Sequence, residues 1–404
     1  MSDYIKKVTC VTDNFKDGQK IVAARIQYNF EIDKSWISAP CFWVKDRKII
    51  GIDVDGCEVT LQLDPSQREA GIVKPPSPPI NLEEAPRITP KKLPEGVPSR
   101  DRPPAVCKPR KVIVRQVSEI KALDGTIIKP AEKDYISDEA VEPIICEFKQ
   151  FEYGGIPYNL FEPEKNEEKL PLVVFIHDAG TCGDDPQITL SQGSGAISFA
   201  APEWQKEHPC FVLAPQISRG IHLTKDNFEV ADELEVIKAL IDDVADKYNV
   251  DKRRIYCTGQ SMGCMAFCEM NIRYPEYFAA SLLVAGQWSP EKMADKCTKC
   301  KFWILVSEHD ARAFPGMNAV ADALEEKGVV IGRYFWDGKL SDEEINILVG
   351  KAMRDDVDMR YTVFNGSTVV PPGTVDGPGS NHTSTWNRVY PIKGLKEWLF
   401  SCKK

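Results

Sequence analysis

Two patterns of hydrophobic spacing follow one another along the chain. Over residues 8–12, 20–28, 49–54 and 59–63, short runs rich in β-branched residues alternate apolar and polar positions, with Asp17-Gly18 and Asp55-Gly56 between them. A period of two predicts half-buried strands, and Asp-Gly predicts tight hairpins joining them. The same character returns at 111–117 and, after Asp124-Gly125, at 126–128. Between these regions, residues 74–110 hold eleven prolines and almost no apolar periodicity. That composition predicts an extended, polyproline-like excursion inserted in a small β-sandwich, read as a spacer along a surface. A further β stretch at 144–153 and 158–161 leads onward, so the expected division is residues 1–143 and 144–404.

Beyond it, strands alternate with helices, which predicts a mainly parallel sheet covered on both faces. LPLVVFI at 170–176 is a continuous apolar run of the buried-strand type, and 210–214 is another. Residues 226–248 read as a helix, with Asp226 and Glu229 at capping-box spacing. Its core stripe would be Val230, Leu234, Ile237, Ile241, Val244 and Tyr248. Strands are predicted at 254–258, 280–285, 302–307 and 361–364. Helices are predicted at about 316–327 and 341–353, the latter with Ser341 and Glu344 at capping-box spacing. A Gly/Pro-rich loop from Gly366 leads to His382, and a final amphipathic helix ends near Cys402. Whether residues 334–360 form a lid is not decided by the sequence.

Composition narrows the function classes. The chain is 43% hydrophobic and 27% charged, with a net charge of −9 and no basic stripe, which argues against a nucleic-acid partner. Neither an apolar leader nor a run of membrane-spanning length is visible, so no membrane partner is expected. Thirteen cysteines, an odd number, often lie inside apolar runs. Reduced thiols in a cytoplasmic protein fit that distribution, a secreted protein lacking its leader being the alternative. Cys297 and Cys300 form a lone C-x-x-C without a second pair, so no metal and no cofactor are expected.

Candidate chemistry centres on Gly259-Gln260-Ser261-Met262-Gly263, set between a β-prone run and a helix-prone run that stops at Pro275. A serine hydroxyl protrudes from a sharp strand-to-helix turn only if the flanking positions lack a Cβ, and glycine stands at both. The Met262 N–H, opening the new helix, would face a developing oxyanion. Alone, the five residues also fit a plain strand-to-helix turn.

A nucleophilic serine needs a base and an orienting acid, delivered by loops at the carboxyl ends of strands. His382, after the last strand, is the best-placed histidine. Asp310, past the strand 302–307, is the preferred acid, with Glu308 and Asp376 as alternatives. The order Ser261, Asp310, His382 is that of an α/β-hydrolase. The loop His177-Asp178-Ala179-Gly180 would supply a second oxyanion donor from the Ala179 N–H, with His177 bracing the loop. Gln260, Trp288 and Trp386 are candidate pocket residues.

PLVVFIHDAGTCGDD, HPCFVLAPQ, DKRRIYCTGQSMG and NHTSTWNRVY…WLF, with the opening VTCVTDNFKDGQKIVAARIQYNFEID, together resemble the EstA-like or predicted-peptidase esterases. The resemblance spans nearly the whole chain. It implies an α/β-hydrolase fold preceded by an immunoglobulin-like domain, a triad of Ser261, Asp310 and His382, and carboxylesterase activity on short-chain or aryl esters. It also implies homo-oligomers formed through the N-terminal domain. Two positions depart from the family pattern. Asp178 stands where H-G-x-G is usual, and Cys264 where S-M-G-G is usual; a carboxylate turned into an oxyanion site would lower activity, and the thiol reads as packing.

The expected protein is therefore a serine carboxylesterase acting on a small-molecule ester through an acyl-enzyme. A feruloyl-type esterase or a serine peptidase is the alternative within the same chemistry. The alternative from another class is an inactive binding or scaffolding protein, for which Asp178 is the main support.

Overall fold

The computed structural model describes residues 4–74, 105–164 and 168–404. These divide into one compact unit of residues 4–74 with 107–146 and a second of 105–106 with 147–404. Most of the proline-rich stretch expected over 74–110 lies outside the described residues.

In the first unit, the alternating runs form strands longer than predicted, Ile5–Phe15 and Gly18–Tyr28, joined at the Asp17-Gly18 turn. With Glu58–Leu63, Ile49–Asp55 and Glu139–Val141 they make a five-stranded sheet, while Tyr135–Ile136, Ile113–Gln116 and Phe42–Val44 make a three-stranded one. Inward-facing residues of both, among them Ile26, Val59, Leu61 and Val114, share one buried cluster. Inside it the Tyr28 hydroxyl donates to Gln116 Oε1 at 3.0 Å, which satisfies a phenol that would otherwise be buried unpaired.

The second unit is built on a nine-stranded sheet. Its strands are β1 (Phe148–Tyr153), β2 (Ile156–Phe161), β3 (Leu170–Ile176), β4 (Phe211–Pro215), β5 (Val250–Gln260), β6 (Ala280–Val284), β7 (Phe302–Ser307), β8 (Ile331–Trp336) and β9 (Met359–Phe364), in the order β1-β2-β4-β3-β5-β6-β7-β9-β8. β2 pairs antiparallel with β1 and β4, and every pairing from β4 to β8 is parallel. All seven residues of LPLVVFI are buried, as expected of a strand covered on both faces.

Helices cover the sheet: α1 (Glu233–Lys247), α2 (Met262–Arg273), α3 (Pro290–Lys296), α4 (Ala313–Glu326), α5 (Asp342–Ala352), α6 (Pro378–Val389) and α7 (Lys393–Ser401). The apolar stripe of α1 buries Leu234, Ile237, Ile241 and Val244, but the helix starts at Glu233 rather than 226. Residues 224 and 230 form an antiparallel bridge, and the Asp226 carboxylate pairs with Arg312 and accepts from Gln287 Nε2 instead of capping a helix. α5 does carry the expected capping box of Ser341 and Glu344. Residues 334–360 complete β8 at the sheet edge, form α5 and begin β9.

Register fixes where the loops emerge. Ile176 pairs with Gly259, Gln260 with Val284, and Ser307 with Phe364, so β3, β5, β6, β7 and β9 end in one row. The segments after them meet at the carboxyl edge of the sheet, the place where an open α/β sheet gathers functional groups.

Candidate active site

Ser261 is held in a backbone conformation that side chains disfavour, with φ 51° and ψ −115°. A non-glycine residue persists there only when its surroundings leave no other choice. The Ser261 N–H donates to Val284 O at 3.0 Å, and its carbonyl accepts from Met265 N at 3.0 Å inside the first turn of α2. A Cβ at Gly263 would lie 2.0 Å from Ile176 O, and one at Gly259 would lie 2.5 Å from the carbonyl carbon of Gly263. Both glycines are thus demanded by close backbone approach, the steric condition their spacing predicts.

Asp310 follows β7 in a turn closed by its N–H on Ser307 O at 3.0 Å. Its Oδ1 accepts from the N–H groups of Arg312 and Ala313 at 3.1 and 3.0 Å, and its Oδ2 faces His382 Nδ1 at 2.5 Å. A carboxylate only accepts, so Nδ1 carries the proton; Nε2, 2.9 Å from Ser261 Oγ, is then the acceptor for the serine hydroxyl. Burial pushes the Asp310 carboxyl upward, but the His382 hydrogen bond and charge, with the two backbone donors, outweigh it and leave the group below the usual carboxylate range. The two other candidate acids are engaged elsewhere. Glu308 accepts from Gly366 N at 2.6 Å, and Asp376 from Ser367 Oγ and Asn381 Nδ2 at 2.7 and 2.8 Å.

His382 does not sit in a loop ahead of the final helix. Pro378 opens α6, as suits proline in a first helical turn, and His382 lies within that helix. Trp386, one turn on, meets the imidazole edge-to-face with ring centroids 5.0 Å apart. A separate helix, α7, follows the Pro391 break.

On the other side of Ser261, Met262 is the first residue of α2 and Ala179 the first of a short 3-10 turn, Ala179–Thr181, after β3. First-turn N–H groups have no acceptor within their own helix. His177 is fully buried and braces this loop: its Nε2 accepts from Ile217 N at 2.9 Å, so its Nδ1 donates, to Asp178 O at 2.7 Å. Burial pushes its pKa down, which keeps the ring neutral. Asp178 Oδ1 accepts from Gly180 N at 2.7 Å, and its Oδ2 accepts from Gln260 Nε2 at 3.0 Å and Thr181 Oγ1 at 3.2 Å. Cys264 is fully buried, and its Sγ occupies the space a Cβ at Gly286 would need.

Of the candidate pocket residues, Gln260 is buried with its amide on Asp178 and Gln192, and Trp386 packs on His382. Trp288 is 1% exposed, packs against Phe228 and donates to Glu269 Oε2 at 3.1 Å, so it is a core residue rather than a pocket wall. A groove of about 440 Å³ beside Asp310 is lined by Glu308, His309, Phe314, Pro315, Asp376 and Pro378. Cys297 and Cys300 are both buried; the thiol of Cys297 is pushed up by its neighbour Cys300 and by burial, which leaves it unreactive. Among the described residues, no group of three or more His, Cys, Asp or Glu is placed to hold a metal ion, and no helix is long and apolar enough to cross a membrane.

Asn381 escaped the sequence reading. It is fully buried, accepts from Ser307 Oγ at 2.9 Å, and donates to Asp376 Oδ1 and Gly377 O at 2.8 and 3.0 Å. One asparagine beside a histidine carries no sequence signal of such a role.

No protein-family model matches this chain, and no curated protein matches it. Among solved structures, a thermostable esterase superposes with a TM-score of 0.76 at 24% identity, over 99% of this chain and all of that one. A ferulic acid esterase gives a TM-score of 0.41 at 13% identity over 63% of this chain and 98% of that one. An acylaminoacyl peptidase gives 0.41 at 14% identity over 72% of this chain and 48% of that one. The first likeness shows the fold alone, a mixed α/β architecture built on a large, mainly parallel sheet.

Proposed function

We propose that this protein is a serine carboxylesterase that hydrolyses short-chain or aryl esters through an acyl-enzyme. The observation that carries the proposal is the continuous chain from Asp310 Oδ2 to His382 Nδ1 and from His382 Nε2 to Ser261 Oγ, at 2.5 and 2.9 Å, ending on a serine in a strained elbow. Ser261 Oγ attacks the ester carbonyl while His382 Nε2 takes its proton. Asp310, ionised, orients the ring and stabilises the imidazolium. The N–H groups of Met262 and Ala179 receive the oxyanion, where loss of one donor typically costs about 3 kcal/mol of barrier. His382 then protonates the leaving alcohol and activates water, which releases the acid and regenerates the serine.

The description of the thermostable esterase agrees with this reading. So does Asp178, whose carboxylate accepts from the Gly180 N–H and the Gln260 amide, which weakens the main support for an inactive scaffold. Within the same proposal, the N-terminal unit is an immunoglobulin-like domain through which copies associate, a reading supported by its two sheets around one core. Light scattering on the full chain tests that part.

The activity is tested with p-nitrophenyl acetate and butyrate, comparing the wild type with Ser261→Ala, alongside labelling by a fluorophosphonate. Hydrolysis and labelling present in the first and lost in the second establish the nucleophile. Folded wild-type protein inert to both overturns the proposal and favours the binding-protein alternative. A panel of feruloyl esters and peptide amides separates the remaining serine-hydrolase activities.

A further inference from the structure

Asp178 is the residue that a site for negative charge would least be expected to contain, and its surroundings give it a task. Its two oxygens face different elements. Oδ1 closes a turn onto Gly180 N at 2.7 Å, so the carboxylate spans the peptide units on either side of Ala179. Oδ2 reaches Gln260 Nε2 at 3.0 Å, at the end of β5 and one residue before Ser261, and takes Thr181 Oγ1 at 3.2 Å. Gln260 is 1% exposed and passes the connection on, its Nε2 also donating to Gln192 Oε1 at 3.0 Å. The space is filled: a Cβ on Gly180 would come within 2.8 Å of Asp178 Oδ1, so glycine at 180 leaves room for the carboxylate.

We infer that Asp178 is a positioning residue that clamps the loop bearing the Ala179 N–H to the strand bearing Ser261, through Gln260, and so sets the spacing of the two oxyanion donors. The inference rests on the esterase reading for its catalytic consequence and on geometry alone for the clamp. The negative charge is offset because the Gly180 N–H and the Gln260 amide both donate to it, with the single Thr181 hydroxyl proton shared between Oδ2 and Asp178 O. A donor misplaced by about 1 Å loses roughly a hundredfold in rate, so loosening the loop matters more than removing the charge.

This makes opposite predictions for two substitutions. Asp178→Ala removes both links. Asp178→Asn keeps the link to Gly180 N, and its new Nδ2 can be accepted by the Gln260 amide once that amide turns over. Gln192 follows by presenting its Nε2, a buried atom now without a partner, to the Gln260 oxygen. The network then runs in the reverse direction with the same geometry.

The experiment compares wild type, Asp178→Ala and Asp178→Asn in two readouts: deuterium uptake by the segment 177–183, and kcat and KM for p-nitrophenyl butyrate. Expected are faster uptake in the alanine variant and wild-type uptake in the asparagine variant, with kcat down about 10- to 100-fold for alanine at a KM within about threefold. The asparagine variant should stay within about threefold of wild type in both constants. Unchanged uptake in Asp178→Ala overturns the clamp. A kcat for Asp178→Ala equal to or above wild type overturns its catalytic consequence and assigns the carboxylate the role of an electrostatic burden. A wild type that hydrolyses no ester overturns the esterase reading, and the uptake comparison still decides for or against the clamp.

Discussion

Ser307 Oγ donates to Asn381 Oδ1 at 2.9 Å in a contact with no solvent access, tying the end of β7 to the residue before His382. Because Asp310 closes a turn on Ser307 and His382 follows Asn381 directly, this bond joins the backbone supports of Asp310 and His382, the acid and base of the proposed mechanism. Asn381 also holds Gly377 O and Asp376 Oδ1, the start of α6 and its preceding loop.

Asn381→Ala should therefore act on both stability and rate. It removes one of the two acceptors open to the Ser307 hydroxyl, the other being Gly366 O at 3.1 Å, and leaves the first turn of α6 without its anchor, at a cost of about 2 kcal/mol. Urea denaturation should show that loss, and kcat should fall while KM stays nearly constant. Ser307→Ala, which leaves the Asn381 amide donors in place, should cost about 1 kcal/mol.

Asp310→Asn preserves shape but reverses the hydrogen-bond demand on His382 Nδ1. The ring would then be held with Nε2 protonated, unable to take the Ser261 proton, and kcat should fall by roughly 10⁴-fold. The same residue has a stability signature. Because its folded pKa lies below the ordinary value, its contribution is fully present above the ordinary carboxylate pKa and is lost as pH falls through the lower folded one. The unfolding free energy of wild type relative to Asp310→Asn should decline across that acid window and be flat at neutral pH.

Gly263→Ala should be among the most damaging single-methyl additions in the chain. The new Cβ meets a backbone oxygen at 2.0 Å, and neither β3 nor α2 can yield without moving Ser261. A destabilisation of at least about 3 kcal/mol, or failure to fold, is expected, read by thermal unfolding. Gly350→Ala, where a Cβ meets nothing within 4 Å, is the matched control and should be neutral or slightly stabilising.

Lys396 is buried on α7, with Nζ 2.9 Å from Ser198 O and 4.5 Å from the Trp204 ring centroid. Burial lowers its pKa to about 8. Between that value and the ordinary lysine value the unfolded chain binds more protons than the folded one, so stability rises with pH across the window. The penalty for holding the charge is full below about pH 8 and disappears above the unfolded value. Wild type should accordingly gain stability relative to Lys396→Met as pH is raised from 8 to 10, measured by denaturant unfolding at each pH.

The sequence by itself determined the features that depend on near neighbours. Gly259 and Gly263 bracket Ser261 because the turn is local, and LPLVVFI announces a strand buried on both faces because every position is apolar. The stripe from Leu234 to Val244 follows helical periodicity, and Ser341 with Glu344 cap a helix through contacts three residues apart. Where a local signal had a competitor, it misled. Asp226 and Glu229 have capping-box spacing, yet Asp226 is drawn to Gln287 and Arg312, and the helix begins at Glu233. The Gly/Pro-rich stretch from Gly366 reads as a loop all the way to His382, yet Pro378 already opens α6. Trp288 reads as a pocket wall because its neighbours Phe228 and Glu269 are distant in sequence.

Tertiary structure alone decided which acid meets His382 and where the Asp178 carboxylate turns. Asp310, Glu308 and Asp376 all offer a carboxylate, and although strand position favoured Asp310, only the registers of β7 and β9 with the placement of α6 bring one of the three to Nδ1. The direction of Asp178 depends on Gln260, 82 positions away, and the burial of Asn381 on Ser307, 74 away. Contacts at such separations leave no periodicity in the chain, because the sheet that brings them together is assembled from strands whose sequence order is not their spatial order.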